Sequence, residues 1–132
     1  MKDVIYLPPE AQTAADWLAL AKRELAFLES ITPAFPDMVL LHAQQVIEKS
    51  LKSVIWSLGE QPPFTHSIDT LVERLPLDMP APSEIQNVMW LSEMCIVTRY
   101  YADEPAATDD QVSQARRAAS ASVTWAGSII GA

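Results

Sequence analysis

Four polar side chains recur along one segment of the sequence at intervals of three and four residues. His42, Gln45, Lys49 and Lys52 follow one another in the run HAQQVIEKSLKSVI, which spans residues 42–55. If this run is a helix, the four side chains share one side of it and the apolar residues occupy another. Such a stripe could be a solvated face, a contact surface for another chain, or a site for a phosphate or a nucleic-acid backbone. Glu48 lies four residues before Lys52, where the two side chains can pair.

Two further residues are candidates for phosphate chemistry. Arg99 falls at the end of an apolar helical pattern, where its guanidinium must reach solvent, pair with Asp103 or Glu104, or grip the oxygens of a phosphate. His66 follows Thr65, a predicted cap residue, and is by itself a loop or capping histidine. It becomes a candidate for proton transfer on a ribose hydroxyl if it faces Arg99 or the lysine stripe.

The sequence lacks several motifs, and their absence argues against the kinds of site that they form. There is no glycine-rich phosphate loop, no HExxH, no CxxC pair and no GxSxG. The single cysteine, Cys95, removes any internal disulfide framework or cysteine-based zinc site and favours a reducing compartment. The Glu-x-x-His spacing of di-iron bundles does not occur. We therefore expect no metal and no other cofactor.

The charge and the hydropathy pattern limit the partners of the chain. A formal charge of −8 disfavours loose attachment to nucleic acid or to an anionic membrane, so any nucleic-acid contact must come from a local group of bases. The opening MKDVIYLPPE does not resemble a signal peptide, and no run approaches the roughly 18 apolar residues that span a bilayer. We expect a cytoplasmic protein with no membrane association.

Proline clusters divide the chain into helical segments, and nine of the ten prolines precede residue 83. The first helix is predicted between the first two clusters, with Thr13 as its N-cap and Asp16 as the partner of that cap. The second helix is predicted to begin near Asp37 and to run to Leu58, where Gly59 supplies a C-terminal stop.

Three more helices follow in the prediction. A short third helix covers residues 66–75 behind a cap at Thr65. The fourth starts near Ser83 and carries Arg99 near its end. The last helix begins at the sequence TDDQ, a capping box in which Thr108 and the glutamine three residues later exchange hydrogen bonds.

No segment alternates with the two-residue period of a strand, so the sequence predicts an all-α fold. Four long helices joined by short loops favour an antiparallel four-helix up-down bundle with one additional short helix. Residues 1–132 are predicted as a single domain in which 1–12 and 131–132 are peripheral. The four tryptophans lie within apolar helical patterns and are expected in the core or an interface rather than as base-stacking platforms: Trp17, Trp56, Trp90 and Trp125.

Three sequence pieces together resemble the HEPN (higher eukaryotes and prokaryotes nucleotide-binding) domain family, in its stand-alone prokaryotic form. They are QQ-x-x-EK-x-LK from residue 44, TH-x-x-x-x-L from residue 65, and RYY with trailing acids from residue 99. The resemblance implies a small helical bundle that forms a homodimer, associates with a nucleotide or RNA, and acts with a minimal nucleotidyltransferase in toxin–antitoxin or other defence systems. The binding residues that it implies are Gln45, Glu48, Lys49, Lys52, Arg99 and Tyr100.

Many proteins of that family are metal-independent ribonucleases, and their signature is an arginine followed four to six residues later by a histidine. Arg99 matches the arginine, but residues 104–106 are Glu, Pro and Ala. A binding module is therefore the first hypothesis. The alternatives are an endoribonuclease toxin that uses Arg99 with His66 as a substitute base, and a structural dimerisation bundle without a specific ligand.

Overall fold

The computed structural model describes residues 12–100 and 107–131, with the side chains of 96–100 excepted. These residues form helices and no strand, so the all-α prediction is confirmed for the described part of the chain. The helices are α1 (Ala14–Ser30), α2 (Pro36–Ser57), α3 (Ile68–Val72), α4 (Ser83–Gln86), α5 (Leu91–Tyr100) and α6 (Asp109–Ile130).

The predicted capping boxes at the starts of α1 and α6 are both present. Thr13 Oγ1 accepts a hydrogen bond from Asp16 N at 3.0 Å, and Asp16 Oδ2 accepts one from Thr13 N at 3.2 Å. Thr108 and Gln111 make the same exchange, at 3.1 and 3.0 Å. Each box satisfies backbone N–H groups that have no partner within the helix, which explains why both helices begin where the sequence predicts.

The central helix is α2, which packs against α1, α3, α5 and α6. Its apolar side is fully buried, with Val39, Val46, Leu51 and Val54 at 0 % exposure. The helix ends next to Gly59, whose φ of +86° lies in the left-handed region that favours glycine. The predicted stop is therefore confirmed.

Side-chain contacts show that α1 and α2 run in opposite directions. Trp17, near the start of α1, lies beside Lys52 near the end of α2. Phe27, near the end of α1, packs edge-on against His42 near the start of α2, with ring centroids 4.7 Å apart. This pairing aligns the polar stripe of α2 with one side of α1.

Two helices start or break differently from the prediction. The third helix is capped by Ser67, whose Oγ accepts from Thr70 N at 3.3 Å, rather than by Thr65. Thr65 Oγ1 instead accepts a hydrogen bond from Ser67 N at 3.0 Å and closes a turn just before the helix. The helix is thus shorter than the predicted span, and His66 precedes it.

The predicted fourth helix is divided into α4 and α5 by turns at residues 87–90. Within them Val88 N bonds to Ile85 O at 3.0 Å and Leu91 N bonds to Val88 O at 2.9 Å, the tighter three-residue pattern. Both Val88 and Leu91 are fully buried. The break therefore lies against the core and not at the surface.

The last helix packs closely against α2. Its fully buried Ala115, Ala119 and Ala126 let the two backbones approach, and Ser122 Oγ donates to Ser50 Oγ at 3.3 Å. None of the helices in the described ranges is long and apolar enough to cross a membrane.

Candidate functional site

A cavity of about 1040 Å³ lies between α2 and the connection formed by residues 61–67, and both line it. Its floor on α2 extends from Leu41 to Trp56, which is about 22 Å along a helix axis. Trp17 of α1 and Ser92 and Cys95 of α5 complete the wall. The residues of the polar stripe that line it are Gln45, Lys49 and Lys52, joined there by Glu48 and His66.

Glu48, Lys52 and His66 form a hydrogen-bonded group that we call the cavity cluster. Glu48 is 7 % exposed; its Oε2 accepts from Lys52 Nζ and its Oε1 contacts His66 Nδ1, each at 2.9 Å. The pairing of Glu48 with Lys52 that the sequence predicts is therefore present. The side chain of His66 is 83 % exposed although its Nδ1 is held.

The backbone around His66 is also fixed. Gln44 Nε2 donates to the carbonyl oxygen of His66. Gln44 Oε1 in turn accepts from Ser92 Oγ at 3.2 Å, and Ser92 Oγ accepts from Ile68 N at 3.1 Å. Side chains of α2 and α5 therefore hold both ends of the short segment that presents the histidine to the cavity.

Lys52 is enclosed by carboxylate and aromatic groups. It is 7 % exposed, and its Nζ lies 5.6 Å from the centroid of the Trp17 ring, within the range of a cation–π contact. Trp17 itself is 4 % exposed, as predicted for a packing residue. Within the described part of the chain its indole Nε1 has no hydrogen-bond partner.

A second group of the same three residue types lies between α1 and α2, and we call it the helix cluster. Glu24 Oε1 accepts from Lys49 Nζ at 2.8 Å, and Glu24 Oε2 contacts His42 Nδ1 at 2.5 Å. Burial raises the pKa of Glu24, but the hydrogen bonds and positive charges of Lys49 and His42 outweigh that effect, so the pKa is lowered.

The polar stripe is thus divided between two clusters and is not a freely solvated face. His42 and Lys49 bind Glu24, Lys52 binds Glu48, and Gln45 faces the cavity. The sequence makes His66 a candidate for proton transfer if it faces Arg99 or the lysine stripe. His66 does lie beside the lysine stripe, because it shares Glu48 with Lys52.

The predictions for Arg99 and Tyr100 lie on side chains outside the described residues. Their backbone belongs to α5, and Arg99 follows Cys95 by one turn of that helix. Asp103 and Glu104, the acids that could pair with Arg99, are outside the described residues as well.

The sequence misses several residues of the cavity wall. Gln44, although it begins the QQ-x-x-EK-x-LK piece, and Ser92 are not predicted as site residues, and they join α2 to α5 by a hydrogen bond. Trp56, which the sequence analysis expects in the core or an interface, is only partly buried and lies on the cavity wall, four residues after Lys52. Trp17 is on another helix, and only the packing of α1 on α2 brings it to this wall.

No group of three or more metal-ligating side chains is found where the structure is described. The charged side chains of the cavity are paired instead: Lys52 and His66 contact Glu48 on the cavity wall, and Lys49 contacts Glu24 of the helix cluster. Such an arrangement can orient a histidine, offer an ammonium group to an anion, and present aromatic surface to a ring.

Comparison with known families identifies the class of protein. A model of the HEPN domain matches residues 12–129. The chain therefore belongs to the HEPN domain family, as the three sequence pieces predict. Neither the curated proteins nor the solved structures give a match.

Proposed function

We propose that this HEPN-domain protein is a nucleotide- or RNA-associated binding module that acts with a minimal nucleotidyltransferase in a toxin–antitoxin or other defence system. Membership of the family supports the proposal. The observation that carries it is that Gln45, Glu48, Lys49 and Lys52 line one cavity together with aromatic side chains such as Trp56. Aromatic faces stack on bases, and ammonium groups attract phosphates.

The charges of the cavity favour a ligand that is held by more than its phosphates. Lys49 is paired with Glu24 and Lys52 with Glu48, so a phosphate near either lysine meets a partly neutralised ammonium group. Stacking on an aromatic side chain contributes about 1–3 kcal/mol per base. A base against the aromatic wall and a phosphate near Lys52 would use both features of the cavity.

Binding can be tested by titrating AMP, ATP and a single-stranded RNA oligonucleotide into the protein in a calorimeter. Lys52→Gln removes the ammonium while its amide can still donate to Glu48, and we expect affinity to fall about tenfold. Lys22→Gln makes the same change of charge on an exposed part of α1 and should leave affinity unchanged. Absence of binding by all three ligands would count against the proposal.

The partner and the homodimer need separate experiments. Co-expression with a minimal nucleotidyltransferase encoded beside the gene should give a complex that survives gel filtration. Light scattering of the protein alone should give twice the chain mass of 14.6 kDa. A monomer that ignores the nucleotidyltransferase would contradict this part of the proposal.

We also propose that α1, α2, α5 and α6 are the long members of an antiparallel up-down bundle. In support, Cys95 Sγ donates to Leu40 O at 3.5 Å while Ser92 contacts Gln44, as expected if α5 runs opposite to α2. An experimental structure in which α5 ran parallel to α2 would overturn this arrangement.

A second candidate function is a metal-independent endoribonuclease that uses Arg99 with His66. The position of His66 beside Lys52 on the cavity wall favours it. Single-stranded RNA incubated with the protein in EDTA should then be cleaved, and Arg99→Ala should be slower. If Lys49→Gln and Lys52→Gln together change neither oligomerisation, binding nor cleavage, the structural dimerisation bundle becomes the better account.

A further inference from the structure

We propose that Glu48 is a positioning residue that fixes His66 as a proton acceptor for a hydroxyl group of the ligand in this cavity. The proposal rests on the binding of RNA or nucleotide proposed above. Its basis is a carboxylate that is 7 % exposed and whose two oxygens contact His66 Nδ1 and Lys52 Nζ, each at 2.9 Å.

The chemistry of the contact determines the tautomer of the imidazole. An ionised carboxylate has lone pairs but no proton, so it can only accept hydrogen bonds. Nδ1 of His66 must then donate, and in the neutral imidazole the free lone pair lies on Nε2. The Lys52 ammonium on the other oxygen of Glu48 supplies the countercharge.

The histidine is restrained and accessible at the same time. Its side chain is 83 % exposed and lines the cavity, while Glu48 holds the ring and Gln44 holds the backbone carbonyl. An exposed histidine without such partners would rotate freely. A held ring whose other nitrogen has no hydrogen-bond partner among the described residues is the geometry that a general base requires.

His42 provides an internal comparison within the same molecule. Its Nδ1 contacts Glu24 at 2.5 Å, but its side chain is only 19 % exposed and its ring packs against Phe27. It does not line the cavity beside α2. The same carboxylate–histidine pairing there joins two helices, so access to a ligand distinguishes His66.

With RNA in the cavity, the step that His66 would assist can be written in full. The proton of a ribose 2′-hydroxyl passes to Nε2, O2′ forms a bond to the adjacent phosphorus, and the bond from phosphorus to O5′ breaks. The departing O5′ takes a proton from water, and the resulting hydroxide takes the proton that the imidazolium releases. The products are a 2′,3′-cyclic phosphate and a 5′-hydroxyl, and no metal or other reactant is consumed.

The tautomer can be measured on the unmodified protein. Imidazole nitrogen NMR should show the proton of neutral His66 on Nδ1 and none on Nε2. Glu48→Gln should abolish this preference, because an amide can donate as well as accept. A neutral His66 with its proton on Nε2 in the wild type would overturn the proposal, whatever the activity.

Kinetics then separate positioning from folding and from binding. We expect His66→Gln to slow cleavage of single-stranded RNA in EDTA by about 100-fold or more, and Glu48→Gln by about tenfold or more. Because Glu48→Gln removes a negative charge beside Lys52, RNA affinity should stay equal or increase while cleavage falls. His42→Gln, the matched control outside the cavity, should cleave at the wild-type rate.

The outcomes distinguish the two proposals. RNA binding without any cleavage by the wild type would overturn the role of His66 and leave the binding module standing. Cleavage that is unchanged in Glu48→Gln would overturn the positioning role. Failure to bind RNA and nucleotides would defeat the proposed function itself, which the calorimetric titration reports separately.

Discussion

The cavity cluster and the helix cluster contain the same three residue types in the same hydrogen-bond pattern. In each, one glutamate oxygen accepts from a lysine and the other contacts Nδ1 of a histidine. The histidine of the helix cluster is 19 % exposed, and that of the cavity cluster is 83 % exposed. Residue type therefore does not separate the two clusters; the exposure of the histidine does.

The largest effect on stability is expected when the glutamate of the cavity cluster is removed. Glu48→Ala should lower the free energy of unfolding by about 3 kcal/mol, because Lys52 is left with its charge in a site that is almost closed to water. Urea unfolding followed by circular dichroism measures this loss. Glu29→Ala, an exposed glutamate of α1, is the control and should stay within about 0.5 kcal/mol of wild type. A loss no larger than the control's would show that Lys52 reaches water easily.

Glu24→Ala should lower the free energy of unfolding by less, about 1–2 kcal/mol in the same urea experiment. His42 and Lys49 are more exposed than Lys52 and can turn towards water. The order of the two losses tests the comparison directly. If Glu24→Ala were the more destabilising change, the helix cluster rather than the cavity cluster would contain the more enclosed charge.

For the two histidines the order of the stability losses should be reversed, with the larger loss in the helix cluster. His42→Ala removes the contact with Phe27 and the bond to Glu24, so we expect a loss of about 1 kcal/mol in thermal or urea unfolding. His66→Ala, at a mostly exposed side chain, should change stability by no more than about 0.5 kcal/mol. Equal losses would mean that His66 is as structural as His42.

The smallest effect concerns acid. The pKa of Glu24 in the folded protein is below its ordinary value of 4.5, so its ionised form contributes stability above that pH. This contribution is lost as the pH falls below 4.5 and through the lowered pKa. The stability difference between wild type and Glu24→Gln should therefore shrink as the pH falls below 4.5. A difference that widened in acid would contradict the lowered pKa.

The sequence predicts local features of this fold well and distant ones poorly. A capping box such as that of Thr13 and Asp16 is closed within four residues, so its chemistry can be recognised in the sequence alone. The break between α4 and α5 has no proline or glycine at residues 87–90. The local sequence carries no turn signal for it, and Val88 and Leu91 at this break are fully buried, so its surroundings come from distant parts of the chain.

The candidate site follows the same rule. The bond between Glu48 and Lys52 is predicted because it lies within one turn of α2. Glu24 escapes prediction because its partners are 18 and 25 residues away on another helix. His66 is a conditional candidate in the sequence, and the condition depends on how the segment before α3 folds back over α2.

The C-terminal end of α1 is capped by a residue that is distant in the sequence. Arg116 of α6 donates to the carbonyl oxygens of Leu28 and Ile31, at 3.1 and 2.6 Å, and the last turn of α1 contains no basic residue of its own. Arg116 lies 85 residues after Ile31. During synthesis at about 5–20 residues per second, α1 therefore waits roughly 4–17 s for this guanidinium. For the part of that interval that follows the synthesis of Ser57, when α2 is complete, the pair of α1 and α2 is a nascent hairpin whose first helix has an unfinished end.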